Sequence, residues 1–413
     1  MSSSGKLISS QKLQKVRAIS NELFSWMSAR EFKGWDPFDA LNSPLLKAVS
    51  GINRWAGLAV LQLVKRSPIN LRPALLVPKT INSKGIGLIL AALIIRYRLN
   101  RQDEDKQRAF QLARWFKEHQ SKGYGGACWG YPFDWPNRAF YAPAGTPTIV
   151  NTAFIGSSLL DLFEETAQEE WLDLAVSACE FICRDLNRSA GKLGFCFSYT
   201  PIDRCRVHNA NLLGAALLAR AGKMTGRGDL QELSMQSAAF SIYSQNEDGS
   251  WPYGEADNQK WIDSFHTGYN LLALKDIHDH LGYKEAGDAC AKGFSFYLRH
   301  FFLSDGTVKS YHDKAEPLDA HAFAHAAICL CDLAARFHTP PDLAEKSLSR
   351  MIDLFWSGKG YFYWQKQHGF LYRLACMRWV QAWAFLALMK YLKSRSKASA
   401  LKADNENHQY SGC

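Results

Sequence analysis

The sequence contains no CxxC pair, no GxGxxG run and no Walker-type phosphate loop, so nothing in it points to a compact zinc site, a dinucleotide or a nucleoside triphosphate. It also lacks a secretory pattern. Leu7 and Ile8 are the only large apolar pair ahead of a polar, amphipathic N-terminal run, so secretion is not expected. Long apolar runs are missing too: the longest, Gly85 to Ile95, is about half of the roughly 20 residues that cross a bilayer, and it reads as a buried helix. The ten cysteines are scattered along the chain, which predicts reduced, core-packed thiols in a reducing cytoplasm rather than a disulfide framework. Acidic residues are scarce at one end only. Residues 1–101 hold 16 Lys and Arg against four acids (Glu22, Glu31, Asp36, Asp39), whereas the rest of the chain holds 33 against 35, so the net charge of +10 is entirely N-terminal.

Aromatic residues are plentiful, with 13 Trp, 16 Tyr and 24 Phe in a chain that is 47% hydrophobic and 21% charged, so a large packed core is available and wholesale disorder is excluded. From residue 84 onward the apolar period is 3.6, which predicts an all-α body. A longer period lies over it. Small-faced helical segments begin near Lys84, Thr148, Val207, Asp263, Pro317 and Arg373, and each of the first five continues into a more amphipathic helix, around 103–119, 170–186, 228–245, 284–301 and 341–356. Units of about 55 to 65 residues fit two helices and one long loop. Six helical hairpins predict an (α/α)6 toroid with inner and outer helix rings, the alternative being an open solenoid of the same units. A helix over about 11–30 is expected to complete the outer ring. The expected organisation is a basic N-terminal helical segment packed on the barrel (1–83), the toroid (84–391) and a disordered polar tail (392–413).

The long loops all precede inner helices, so they are expected to gather at one end of the ring, where function would sit. The longest, about 120–147, carries Trp129, Tyr131 and Trp135; Trp251, Tyr253 and Trp261 follow in later loops. Aligning the inner helices on Gly156, Gly214, Gly268 and Ala324 sets Asn151, Asn209, Asp263 and Asp319 at equivalent positions near the helix N-termini. Each residue type there is a natural helix cap. As a set they also converge on one central cavity.

The hairpin count and the loop Gln245-Asn246-Glu247-Asp248-Gly249-Ser250-Trp251 resemble the α/α-toroid superfamilies, which include six-hairpin glycosidases, polysaccharide lyases and the terpenoid cyclase and prenyltransferase toroids. The QxxxGxW pattern is similar to the repeat in triterpene cyclases that ties an outer helix to the next loop. The strings Gly34-Trp35-Asp36-Pro37-Phe38-Asp39, Trp129 to Trp135, Val207-His208-Asn209-Ala210-Asn211 and Trp261 to Gly268 resemble a family of six-hairpin proteins associated with bacterial exopolysaccharide and capsule biosynthesis. That resemblance implies a carbohydrate context.

A cavity walled by aromatic rings and set with carboxylates, amides and arginines suits a sugar. Hydrolysis needs two carboxyl groups, for which Asp134 and Asp263 are the expected pair, with Glu255 and Asp319 in reserve. An uronate lyase or epimerase needs a Tyr or His base beside groups that neutralise a carboxylate. Tyr199, His208, Asn209 and Asn211, with Arg138, Arg204 or Arg206, supply that set. His266 and His321 each lie close to their own unit's carboxylate. A metal held by His208, His266, Asp263 and His321 is not expected, because no Cys accompanies them, and no cofactor is implied. A non-catalytic glycan scaffold and an isoprenoid-processing toroid remain the alternatives. Residues 45–66 predict an apolar-faced helix flanked by cations, packed on the toroid's outside or touching an anionic membrane surface. Nucleic acid is not expected, since these cations are spread among Pro and aliphatic groups. The expected setting is cytoplasmic or peripheral to the inner membrane, with an oligo- or polysaccharide, free or lipid-linked, as substrate.

Overall fold

The computed structural model describes residues 3–50, 53–137, 140–334, 336–337, 339–340 and 342–410. Fourteen helices are present among them. Three lie in the N-terminal segment: α1 (Ser3–Ser28), α2 (Pro44–Ser50) and α3 (Arg54–Arg66). Five hairpins follow: α4 (Ser83–Asn100) with α5 (Asp103–Glu118), α6 (Ile149–Thr166) with α7 (Glu169–Asp185), α8 (His208–Thr225) with α9 (Gly228–Tyr243), α10 (Ser264–Leu281) with α11 (Lys284–Phe301), and α12 (Ala320–Leu333) with α13 (Leu343–Phe355). A π-helical turn, Met377–Ala382, leads into α14 (Trp383–Tyr410).

The even-numbered helices from α4 to α14 pack side by side, and α14 returns to α4, so the ring is closed and the open solenoid is excluded. The outer helices each lean on their hairpin partner, and α1 packs on α14 to complete the outer layer. Burial separates the layers: α12 buries 12 of its 14 residues, whereas α13 buries only Ser347, Leu348, Met351, Ile352 and Phe355 along one stripe.

Glycine is what lets inner helices approach. A Cβ on Gly156 would lie 2.6 Å from Leu217 of α8, and one on Gly268 would lie 2.5 Å from the His325 ring of α12. The helix starts are set by side-chain caps, Asn82 for α4, Thr148 for α6, Asp263 for α10 and Asp319 for α12. This corrects the expected equivalence of four residues: Asp263 and Asp319 are caps, but Asn151 and Asn209 lie inside their helices.

Between hairpins the chain makes short two- and three-stranded ribbons: β1 (Trp135–Pro136) with β2 (Tyr141–Ala142), β3 (Arg188–Ala190) with β4 (Phe195–Phe197), and β5 (Leu318–Asp319), β6 (Gln365–Gln367) and β7 (Phe370–Tyr372). All precede inner helices and sit at the end where those helices start.

Two expectations change. The segment 45–66 is not one helix but two, because Asn53 caps a fresh start by accepting from the Ala56 N–H. Nor does it lie on the toroid's outside, since α3 covers the mouth of the central cavity. The last helix continues to Tyr410, into the stretch whose polar composition suggests a disordered tail, and Leu392 at its start is buried.

One buried ion pair pins the N-terminal segment to the toroid and a second braces the segment internally. Arg378 holds Asp36 with two hydrogen bonds of 2.6 and 2.7 Å, and Arg72 reaches Asp39 at 2.6 Å and the Asp36 carbonyl at 2.8 Å. Removing one partner leaves an uncompensated buried charge. Asp36→Ala is therefore expected to lower the unfolding free energy by about 3–5 kcal/mol in a denaturant titration. A loss below about 1 kcal/mol would show that the pair does not hold the segment.

Candidate functional site

A cavity of about 450 Å³ opens at the end of the ring where the inner helices begin. Its walls come from every level of the fold: Tyr131, Phe133, Trp135 and Phe140 from the long loop, Tyr253, Trp261 and Tyr311 from later loops, Phe265 and Tyr269 from α10, and Trp379 from the π-helical turn. Leu58, Leu61, Gln62 and Lys65 of α3 close it from above. The aromatic rings brace one another, with Tyr131 stacked on Phe133 at 5.3 Å and Tyr253 on Trp261 at 4.6 Å.

The polar centre is built at the start of α10. As helix cap, Asp263 accepts the His266 backbone N–H at 2.9 Å through one oxygen. Its other oxygen meets His266 Nδ1 at 2.6 Å and accepts the Trp261 indole N–H at 3.0 Å. The i, i+3 spacing that a cap requires thus puts carboxylate and imidazole in contact. With the proton on Nδ1 directed at Asp263, the lone pair of Nε2 is left as the acceptor of a ring that lines the cavity.

One unit further round the ring, Asp319 caps α12 and accepts from the His321 N–H at 2.9 Å, the Trp364 indole at 3.1 Å and the Trp379 indole at 3.2 Å. Burial raises its pKa to about 6 despite those donors and the nearby Lys65 charge. His321 lies 2.8 Å from the Tyr269 hydroxyl through Nε2, and burial, followed by the Lys84 charge, holds it well below the usual imidazole range. His266 and His321 flank Phe265, with ring centroids 4.3 and 4.6 Å away. Burial raises the pKa of Tyr199, Tyr253 and Tyr269 well above the usual phenol value, which favours their hydroxyl form.

Of the residues expected from sequence, Asp263, His266, Tyr199, Tyr131, Trp135, Asn209, Tyr253, Trp261, Asp319 and His321 line this cavity. Asn209 brings a buried Oδ1 that has no partner. Others have different work. Asp134 ties the β1–β2 ribbon, accepting from the Tyr141 hydroxyl and the Ala144 N–H at 2.8 Å each, and is not among the lining residues, so it is not brought together with Asp263. His208 turns to the outer layer, 3.3 Å from the Ser241 hydroxyl, where burial lowers its pKa to about 4. Asn211 binds the Phe197 N–H and Ser237 between α8, β4 and α9. Asn151 donates to the Ser83 hydroxyl, and the Trp129 indole donates to the Phe116 carbonyl of α5. Trp251 donates to the Ser241 carbonyl while Gln245 donates to the Ala289 carbonyl of α11, which is the outer-helix tie that the QxxxGxW resemblance implies. Glu255 pairs with Arg206 on the rim at 2.9 Å, Arg204 is exposed, and Arg138 lies outside the described residues. Among the described residues no group of three His, Cys, Asp or Glu is arranged to hold a metal ion.

Sequence reasoning missed Lys84, Phe265, Tyr269, Arg378 and Trp379, as well as the covering helix. One signal was available for Lys84, the only charged residue between Ile81 and Ile95, in the apolar first part of α4.

No protein-family model matches the chain, and no curated protein matches it in sequence. Solved structures share its architecture. A sugar epimerase from a ruminal bacterium superposes with a TM-score of 0.58 at 14% identity, over 76% of this chain and 87% of its own. An unsaturated glucuronyl hydrolase from Bacillus sp. GL1 gives 0.54 at 14%, over 74% and 85%, and a GH76 α-mannanase from Bacteroides thetaiotaomicron gives 0.57 at 10%, over 77% and 88%. At these identities the likeness establishes the fold, an all-α (α/α)6 toroid shared with carbohydrate-active enzymes.

The raised Asp319 pKa has a sign. A carboxyl that is harder to ionise in the folded state contributes stability that is fully present below its unfolded value near 3.8 and is lost as pH rises through about 6. Asp319→Asn should remove that pH dependence, on the order of 2 kcal/mol between pH 4 and 7 in denaturant titrations; an unchanged pH profile would refute the perturbed carboxyl.

Proposed function

We propose that this protein is a carbohydrate-active enzyme that modifies or cleaves a short oligosaccharide, or the end of a longer chain, by acid–base catalysis in the central cavity. The observation that carries the reading is the Asp263–His266 contact at 2.6 Å in a cavity walled by aromatic rings, because a carboxylate that orients an imidazole prepares it to take a proton. The volume of about 450 Å³ falls within the usual range for small-ligand sites of roughly 300–1,000 Å³ and suits about one or two sugar rings. In the proton-transfer form of the reaction, as in epimerisation or elimination, His266 is the base. Tyr199 and Tyr253 supply hydroxyl hydrogen bonds, and Asp319 is the group able to return a proton.

Hydrolysis is the second reading, favoured by one observation: Asp319 has the raised pKa of a general acid. In that case Asp319 protonates the leaving oxygen and Asp263 is the second carboxyl. Asp263→Asn and His266→Ala are each expected to lower turnover about 100- to 10,000-fold with unchanged thermal unfolding. New reducing ends would mark hydrolysis, the ultraviolet absorbance of an unsaturated uronate would mark elimination, and solvent deuterium in recovered sugar would mark epimerisation. Full activity in both variants would sink these roles, and glycan binding with no product would leave a scaffold.

The finer setting we propose is bacterial exopolysaccharide or capsule biosynthesis in the cytoplasm, supported by the resemblance of the four sequence strings, with residues 1–83 as a segment that packs on the toroid of residues 84–391. No described helix is long and apolar enough to cross a membrane. Leu45, Trp55, Leu63, Ile69 and Leu76 are nevertheless exposed within residues 1–83, where 12 Lys and Arg stand against four acids, which suits contact with an anionic lipid surface carrying a lipid-linked substrate. The full chain should co-sediment with phosphatidylglycerol vesicles but not with phosphatidylcholine vesicles, and Trp55→Asp with Leu63→Asp should abolish it. Equal recovery with both vesicle types would dismiss the membrane contact.

A further inference from the structure

Three Lys or Arg side chains are buried among the described residues, Arg72, Lys84 and Arg378. Arg72 has Asp39 and Arg378 has Asp36, each at 2.6 Å. Lys84 has no carboxylate within ion-pair distance. Its ammonium is 3.5 Å from the Tyr269 hydroxyl and lies over the rings of Phe154, Tyr269 and Trp383 at 4.5, 5.0 and 5.4 Å. Aromatic faces attract a cation but do not replace a counter-ion.

The position is awkward for a merely structural lysine. Lys84 lies in the first turn of α4, where a cation opposes the helix dipole, and its neighbours Ser83, Gly85, Ile86 and Gly87 are all buried. The side chain lines the cavity. Neither carboxylate there is available to it, since Asp263 is engaged by His266 and Trp261, and Asp319 by His321 and two indoles.

We propose that Lys84 is an anion subsite of the cavity, and that the sugar this protein acts on carries a negatively charged group, a carboxylate or a phosphate, that pairs with the ammonium. The proposal rests on the sugar reading of the cavity and adds the charge of the substrate to it. The groups facing Lys84 agree with a place left for a ligand. Tyr269 of α10 and His321 and His325 of α12 are neutral there, Arg378 repels the ammonium, and Asp36 attracts it but is held by Arg378. Burial, with Arg378 second, holds the Lys84 pKa well below its usual value, so an arriving anion supplies the counter-charge that the protein itself does not place beside it.

The test is calorimetric titration of the full chain with matched neutral, uronate and phosphorylated forms of glucose-, galactose- and mannose-based disaccharides. One anionic form should bind at least about tenfold more tightly than its neutral partner, and whether it is the uronate or the phosphate identifies the group. Lys84→Met should bring that ratio to within about twofold while neutral disaccharide binding persists, and its melting temperature should not fall, because a buried unpaired amine has been removed. Equal affinity for neutral and anionic forms in the wild-type chain, or a preference that survives Lys84→Met, overturns the proposal and leaves the sugar reading standing. Absence of binding by every disaccharide overturns both. Should Lys84→Met fail to fold, Lys84→Gln makes the same comparison, because Lys65, Arg66 and Arg378 also line the cavity and the wild-type preference alone does not single out Lys84.

Discussion

The Arg378–Asp36 pair joins the two ends of a chain that is otherwise a succession of local hairpins. Five hairpins can be laid in a row with no knowledge of one another, and short-range packing does not by itself bring the last inner helix back to the first. Here the guanidinium at the π-helical turn before α14 grips a carboxylate in the loop after α1, with the rings of Tyr131 and Trp379 about 5 Å from it. Closure of the ring, placement of the N-terminal segment and the wall of the cavity meet at this one contact. Because both partners are dry, it behaves as all-or-nothing.

Function follows from where that closure puts the helix starts. Six inner helices begin at one end, and two of the caps that begin them, Asp263 and Asp319, line the cavity. Asp263 and Asp319 satisfy backbone N–H groups and present carboxylates in the same act, so capping and chemistry are not competing accounts of these residues. The same end carries the aromatic loops, because the connections into inner helices are the long ones. A ring-lined space with two capping carboxyl groups in its wall is the consequence.

Most of the architecture was legible in the sequence. The period of small-faced helices gave starts within a few residues for α4 to α12, since Gly156, Gly214 and Gly268 mark the side along which helices touch. The partition of the site was less legible. Asp134, Asp263, His208 and His266 look alike as residue types, yet Asp134 locks a loop ribbon and His208 faces the outer layer, while Asp263 and His266 face the cavity. One turn of a helix or one bond in a loop decides which way such a group points, and no pattern along the chain records it. The tryptophans divide in the same way, Trp129 and Trp251 into the wall between helix layers, Trp135 and Trp261 into the cavity.

The sequence alone determined the number of hairpins, the two helix layers, the end at which the loops gather and the N-terminal location of the positive charge, because each is a property of local spacing or composition. Only the tertiary structure decided that α3 covers the cavity rather than the outside, that Asp36 belongs to Arg378, and that Lys84 is left facing the cavity without an acid. Those are contacts between residues up to 342 positions apart. A buried charge is defined by what stands around it, and its surroundings exist only once the ring has closed.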